Sequence, residues 1–134
     1  MSNPYQKYKA TAVTSASREK LLLMMYEGAI KFAKKAAVAC EQKQIAERGL
    51  NIGKTYDIVM ELANTLDHSV GGDIAKNLEQ LYMFILDQLT KSNISGDPGP
   101  LRNAIKILET LHEGWTGAIE KLKKDEAKQS QQKA

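Results

Sequence analysis

Leu21-Leu22-Leu23-Met24-Met25-Tyr26, running on into Gly28, Ala29, Ile30 and Phe32, decides how this chain folds. On a helix successive side chains turn by about 100°, so six apolar residues in a row point in every direction. A helix on the surface of a compact domain needs a single apolar stripe, about 100° wide or a little more. The run therefore predicts a helix that is buried on several sides, or one whose excess is covered by something outside the bundle. Apolar positions 21, 25, 28, 29, 32, 36, 39 and 40 step by three and four. They predict a first helix from about Arg18 to about Gln42, with Ser17 as its N-cap.

Three further helices follow. The second runs from about Ile45 to Leu66, with Ile45, Ile52, Tyr56, Val59, Leu62, Ala63 and Leu66 at helical spacing, and ends at Ser69-Val70-Gly71-Gly72. The third begins near Asp73. Its stripe is Ile74, Leu78, Leu81, Tyr82, Ile85, Leu86 and Leu89, and it stops before the turn-rich stretch from Ser92 to Pro100. The fourth starts at about Leu101, after a helix-starting proline, and its stripe reads Leu101, Ala104, Ile105, Leu108, Leu111, Trp115, Ile119 and Leu122. All three prolines, at positions 4, 98 and 100, stand outside these segments, and no alternating strand pattern occurs. The expected fold is all-α: an antiparallel four-helix bundle with an N-terminal cover segment and a disordered basic C-terminal tail. The expected single domain spans residues 1–122, with residues 1–16 as the cover segment and 123–134 as the flexible tail.

The chain has 134 residues, 43% apolar and 26% charged, enough to bury one core. Residues 121–134 hold five lysines against Asp125 and Glu126, a balance of +3 that equals the formal charge of the whole chain. The rest is neutral, which argues against nucleic acid as a partner. There is no apolar stretch of about 18 residues to insert into a membrane and no apolar signal region at the start. With its lone cysteine, Cys40, the chain reads as cytoplasmic.

Signatures of catalysis are scarce, and the chain reads as a non-enzyme without cofactor or metal. Gly71-Gly72 lacks the Gly-Lys-Ser/Thr that completes a phosphate loop. Glu109 and His112 have the spacing of a di-iron helix pair, but the second such pair is missing. His68 near a helix end complements the helix dipole; a phosphoacceptor role is the competing reading. A phosphotransfer or metal-binding four-helix bundle is therefore the alternative. Binding fits better. Met24, Met25, Met60 and Met83 suit a surface that adapts to its partner, and five tyrosines suit one that is sometimes wet and sometimes covered.

Several segments resemble the flagellar secretion chaperone FliS family. They are Asn3-Pro4-Tyr5-Gln6-Lys7-Tyr8, Ser15-Ala16-Ser17-Arg18-Glu19-Lys20-Leu21, the run from Leu22 to Ile30, Leu66-Asp67, Gly71-Gly72-Asp73-Ile74 through Tyr82, and Leu108-Glu109-Thr110-Leu111-His112-Glu113-Gly114-Trp115. Their order and spacing carry the likeness. Arg18 stands where the family usually has proline, and His112 where it often has arginine. The resemblance implies a chaperone that binds the disordered C-terminal segment of flagellin, prevents its early polymerisation and helps deliver it to the flagellar type III export apparatus. Flagellar export or regulatory proteins are further implied partners. Tyr5, Tyr8 and Val13 are expected to form a detachable cover. Flagellin is expected along the second and third helices, with contributions from the first, and with Ile52, Tyr56, Val59, Ile74, Leu78, Tyr82 and Ile85 as candidates, some of which must be core.

Overall fold

The computed structural model describes the backbone of residues 15–133 and the side chains of 18–131. The cover residues Tyr5, Tyr8 and Val13 lie outside them. Four helices follow one another: α1 Ser15–Glu41, α2 Ile45–Asn64, α3 His68–Ser95 and α4 Pro98–Lys133. Each packs on its chain neighbour, and α4 closes the ring on α1. Three side-chain pairs on the α1–α4 seam, Glu41–Arg102, Lys34–Glu109 and Glu27–His112, descend α1 as they climb α4, so the two helices are antiparallel. Ser92–Leu101 and Gln88–Asn103 show the same sense between α3 and α4. The fold is the all-α bundle expected from the periodicity.

Alanine sets the spacing of α1. Ala29, Ala33, Ala36, Ala37 and Ala39 are buried along it with Cys40. Their short side chains bring neighbouring backbones close, while Ile52, Ile58, Val59 and Leu62 of α2, Ile85 and Leu89 of α3, and Leu101 and Leu108 of α4 supply the bulk. Cys40 lies in this core, where burial pushes its thiol above the usual range. The six-residue apolar run splits. Met25 and Tyr26 are buried, Leu21 and Leu22 pack partly on the core, and Leu23 and Met24 stay half-exposed.

The helix ends differ from expectation in four places. First, α1 begins at Ser15, two residues ahead of the cap expected at Ser17. Ser15, Ala16 and Ser17 include no breaker, so the helix extends through them.

Second, the Ser69–Gly72 stretch is not a simple loop. Asp67 caps a short turn, accepting from Ser69 N at 3.0 Å and Val70 N at 3.3 Å. These bonds, the Ser69 hydroxyl first, hold the Asp67 carboxyl below its ordinary range. The turn then joins the main helix through Gly72, at φ 53° and ψ −124°. That conformation is open to glycine and strained for any residue with a Cβ. Gly72→Ala is therefore expected to lower unfolding stability by about 1–3 kcal/mol, measured by urea denaturation. A loss no greater than that of an exposed Ala substitution elsewhere on α3 would show the kink to be relaxed.

Third, the connection between α3 and α4 shrinks to Gly96-Asp97. Gly96 ends α3 in the left-handed conformation, and its N–H bonds Ser92 O at 2.8 Å. The start of α4 then leaves no amide unpaired. Asp97 N donates to Ser95 Oγ, Gly99 N to Asp97 Oδ1 and Leu101 N to the buried Ser92 Oγ, while Pro98 and Pro100 have no N–H to satisfy.

Fourth, α4 continues through Lys133, so residues 123–133, expected as a disordered flexible tail, are helical instead. Ile119 is its last buried residue among those described. The extension is mostly Lys and Gln, both good helix formers, and needs no tertiary contact to explain its backbone. At 36 residues α4 is about 54 Å long, against about 30 Å for the 20 residues of α2.

Candidate functional site

The exposed apolar side chains are unevenly shared. Of the eleven large ones among the described residues, six lie on α3 (Val70, Ile74, Leu81, Met83, Phe84, Ile94) and three on α2 (Ile45, Leu50, Tyr56), leaving one each on α1 and α4. The buried stripe of α3 is complete without them: Ala75, Tyr82, Ile85, Leu86 and Leu89 face the core, with Leu78 packed partly against it. Ile74, Leu81 and Phe84 are spaced as one helical stripe with Gln88, whose amide oxygen accepts from Asn103 of α4 at 3.1 Å. That stripe therefore flanks the seam with α4. Met83 and Ile94 fall on the opposite flank, toward α2, where Arg48 reaches across to the Asn93 carbonyl at 3.1 Å. On α2 the same seam carries Tyr56, with Gly49 and Gly53 on the same flank, where no side chain fills the surface. The result is a ridge, α3, greasy on both shoulders.

The seven candidates divide accordingly. Ile52, Val59, Tyr82 and Ile85 are buried, Leu78 is half-buried, and Tyr56 (38% exposed) and Ile74 (68% exposed) face solvent. Tyr56 and Ile74 sit on opposite shoulders of α3 and do not form one patch. Leu81, Met83 and Phe84 are not among the seven because Leu81 shares the core spacing and Met83 and Phe84 fall outside the core stripe of α3.

Beneath the ridge lies a polar chain. Trp115 Nε1 donates to Tyr26 Oη at 3.2 Å, and Tyr26 is hydrogen-bonded to Tyr82 through their hydroxyls. It ties α4, α1 and α3 together inside the core and satisfies three polar groups that burial would otherwise penalise. Burial raises both phenols above the ordinary value of 10; for Tyr82, the neighbouring Tyr26 charge and hydrogen bond add to it. The folded state thus holds these protons at a pH where the unfolded chain releases them. Stability from the pair is intact below about pH 10 and is lost as pH rises above it. In urea titrations between pH 10 and 11, Tyr82→Phe should lessen the fall of stability by about 1 kcal/mol over that unit, because the unfolded phenol goes from about half to about nine-tenths ionised there. An unchanged slope would mean that Tyr82 ionises freely in the folded protein.

The residues that raised other chemistries are tied up elsewhere. Glu109 pairs with Lys34, and His112 Nε2 lies 3.3 Å from Glu27, so the Glu-x-x-His spacing serves the α1–α4 seam. His68 Nε2 bonds Glu79 at 3.0 Å and pins the short turn to the main body of α3. Among the described residues no group of three His, Cys, Asp or Glu is placed to hold a metal ion, and no helix is long and apolar enough to cross a membrane.

The family model described as flagellar protein FliS matches residues 1–122. This chain belongs to the FliS family. Three FliS-family proteins give the range. The flagellar secretion chaperone FliS of Vibrio cholerae is 37% identical over 119 residues, covering 86% of this chain and 88% of that protein. FliS of Bacillus subtilis is 29% identical over 125 residues, covering 93% and 92%. FliSB of Pseudomonas aeruginosa is 32% identical over 114 residues, covering 84% and 90%. FliS proteins are named as secretion chaperones of the flagellum, and a bundle with surplus apolar surface is consistent with holding another chain.

Proposed function

We propose that this protein is a cytoplasmic export chaperone for flagellin. It binds the disordered C-terminal segment of flagellin, prevents premature polymerisation and aids delivery to the flagellar type III export apparatus. The observation that carries this reading is the apolar ridge of α3, with exposed side chains on both shoulders that the bundle's own core does not use. Amphipathic client helices laid along it bury their apolar faces against Ile74, Leu81 and Phe84 on one side and Met83 and Tyr56 on the other. A disordered client spends part of the contact energy on its own ordering, which is why an extended surface suits it better than a single pocket.

Calorimetric titration with a flagellin C-terminal peptide tests the reading. Binding with a negative heat-capacity change and a gain of helical signal is expected. No heat and no complex would overturn it.

A further inference from the structure

The face of the bundle formed by α1 and α2 gathers three lysines around one aromatic ring. Lys31 and Lys35 of α1 and Lys54 of α2 place their ammonium groups 5.9, 5.9 and 5.0 Å from the centre of the Phe32 ring. Each lies within cation–π range, but together they crowd three like charges around one half-buried ring. Lys31 and Lys35 are also an i, i+4 pair of like sign, which disfavours the helix that carries them. No carboxylate of the described residues forms an ion pair with any of the three, whereas Lys34 has Glu109 and Lys91 has Asp87. Beside them opens a depression of about 470 Å³ whose walls include Lys34, Lys35, half-exposed Val38, Gln44, Glu47 and Asn51.

We infer that this α1–α2 face docks an acidic peptide segment bearing an apolar side chain, its carboxylates over Lys31, Lys35 and Lys54 and its apolar group in the depression beside Val38. Charge complementarity selects the occupant. The three lysines gather around one ring on a body, residues 1–120, that is neutral only when they are counted, so the attraction for carboxylates is local to this cluster. Glu47 at the depression repels a carboxylate there and reserves that space for the uncharged part of the ligand. A nucleic acid would seek a basic track along its backbone with several stacking rings; this face offers one ring, already flanked by cations. It is also separate from the α3 ridge, so the inference does not rest on flagellin as client.

The test titrates the full chain with a fluorescent peptide of alternating Asp-Glu-Phe and Asp-Glu-Leu units, followed by anisotropy. Binding is expected, weakening severalfold as salt rises from about 0.05 M to about 0.5 M. The triple variant Lys31→Gln/Lys35→Gln/Lys54→Gln should lose about tenfold or more in affinity while keeping its helical signal. Amide shifts in the labelled protein should cluster at residues 31–38 and 51–54. The same variant should bind the flagellin C-terminal peptide unchanged, which separates a failure here from a failure of the client reading. Should the triple variant prove unfolded, Lys54→Gln alone, with the amide map, decides. No binding, equal binding by the variant, or tighter binding of an oligothymidine of matched charge would overturn the inference.

Discussion

Tyr82→Ala should cost about 3–5 kcal/mol of unfolding free energy, the range for emptying a large aromatic site in a packed core. Tyr82 is 2% exposed and touches the core through its whole ring, so the vacated space cannot be refilled by solvent without wetting Ile85 and Leu89. Tyr82→Phe keeps the ring and removes only the hydroxyl. Tyr26 then retains Trp115 as donor to its oxygen but loses its hydroxyl partner on α3, and a loss of about 1–2 kcal/mol follows. Chemical denaturation of both variants separates packing from hydrogen bonding. If Ala and Phe cost the same, the hydroxyl chain and not the ring holds the three helices together. A charge at this position acts on folding first, and only through it on any client.

The second large effect belongs to the ridge. Ile74→Asp combined with Phe84→Asp is expected to weaken the flagellin C-terminal peptide by about 100-fold, close to 2.7 kcal/mol. Ile74 is 68% and Phe84 46% exposed, so each substitution alone should change stability by no more than about 0.5 kcal/mol. Calorimetry and a thermal melt on the same sample read both numbers. Parallel loss of affinity and of melting temperature would place these side chains in the fold and not on the docking surface. Ile85→Asp is the control, since Ile85 adjoins Phe84 in sequence but is fully buried and should unfold the bundle.

Helix number and order were legible from spacing alone, because a three-four repeat of apolar residues has few other solutions, while the expected stripes also took in Ile45, Tyr56 and Leu122, which face solvent. The division of α3 into core and surface was not. Leu81 and Tyr82 are adjacent, both apolar, and about 100° apart on the helix; only the position of α4 decides that Tyr82 turns inward and Leu81 lies on the shoulder. The start of α4 was hidden for a similar reason. Pro98-Gly99-Pro100 reads as a turn locally, and it becomes helix because Ser92, on another helix, accepts the Leu101 amide. The Gly71-Gly72 pair announced a break and gave its place, but not that a capped turn stands on its near side. The lysines around Phe32 were visible only as scattered charges, since Lys54 joins Lys31 and Lys35 through the α1–α2 packing.

Trp115 is the chain's single tryptophan, and its indole N–H ends on Tyr26 where α1, α3 and α4 meet. The protein thereby carries an intrinsic optical gauge. Emission from one fluorophore, half-buried and bonded to a phenol, reports whether those three helices stay in register. Any client or ligand that pries them apart will shift that emission without a label, while one that merely lies on the outer surface will leave the colour unchanged.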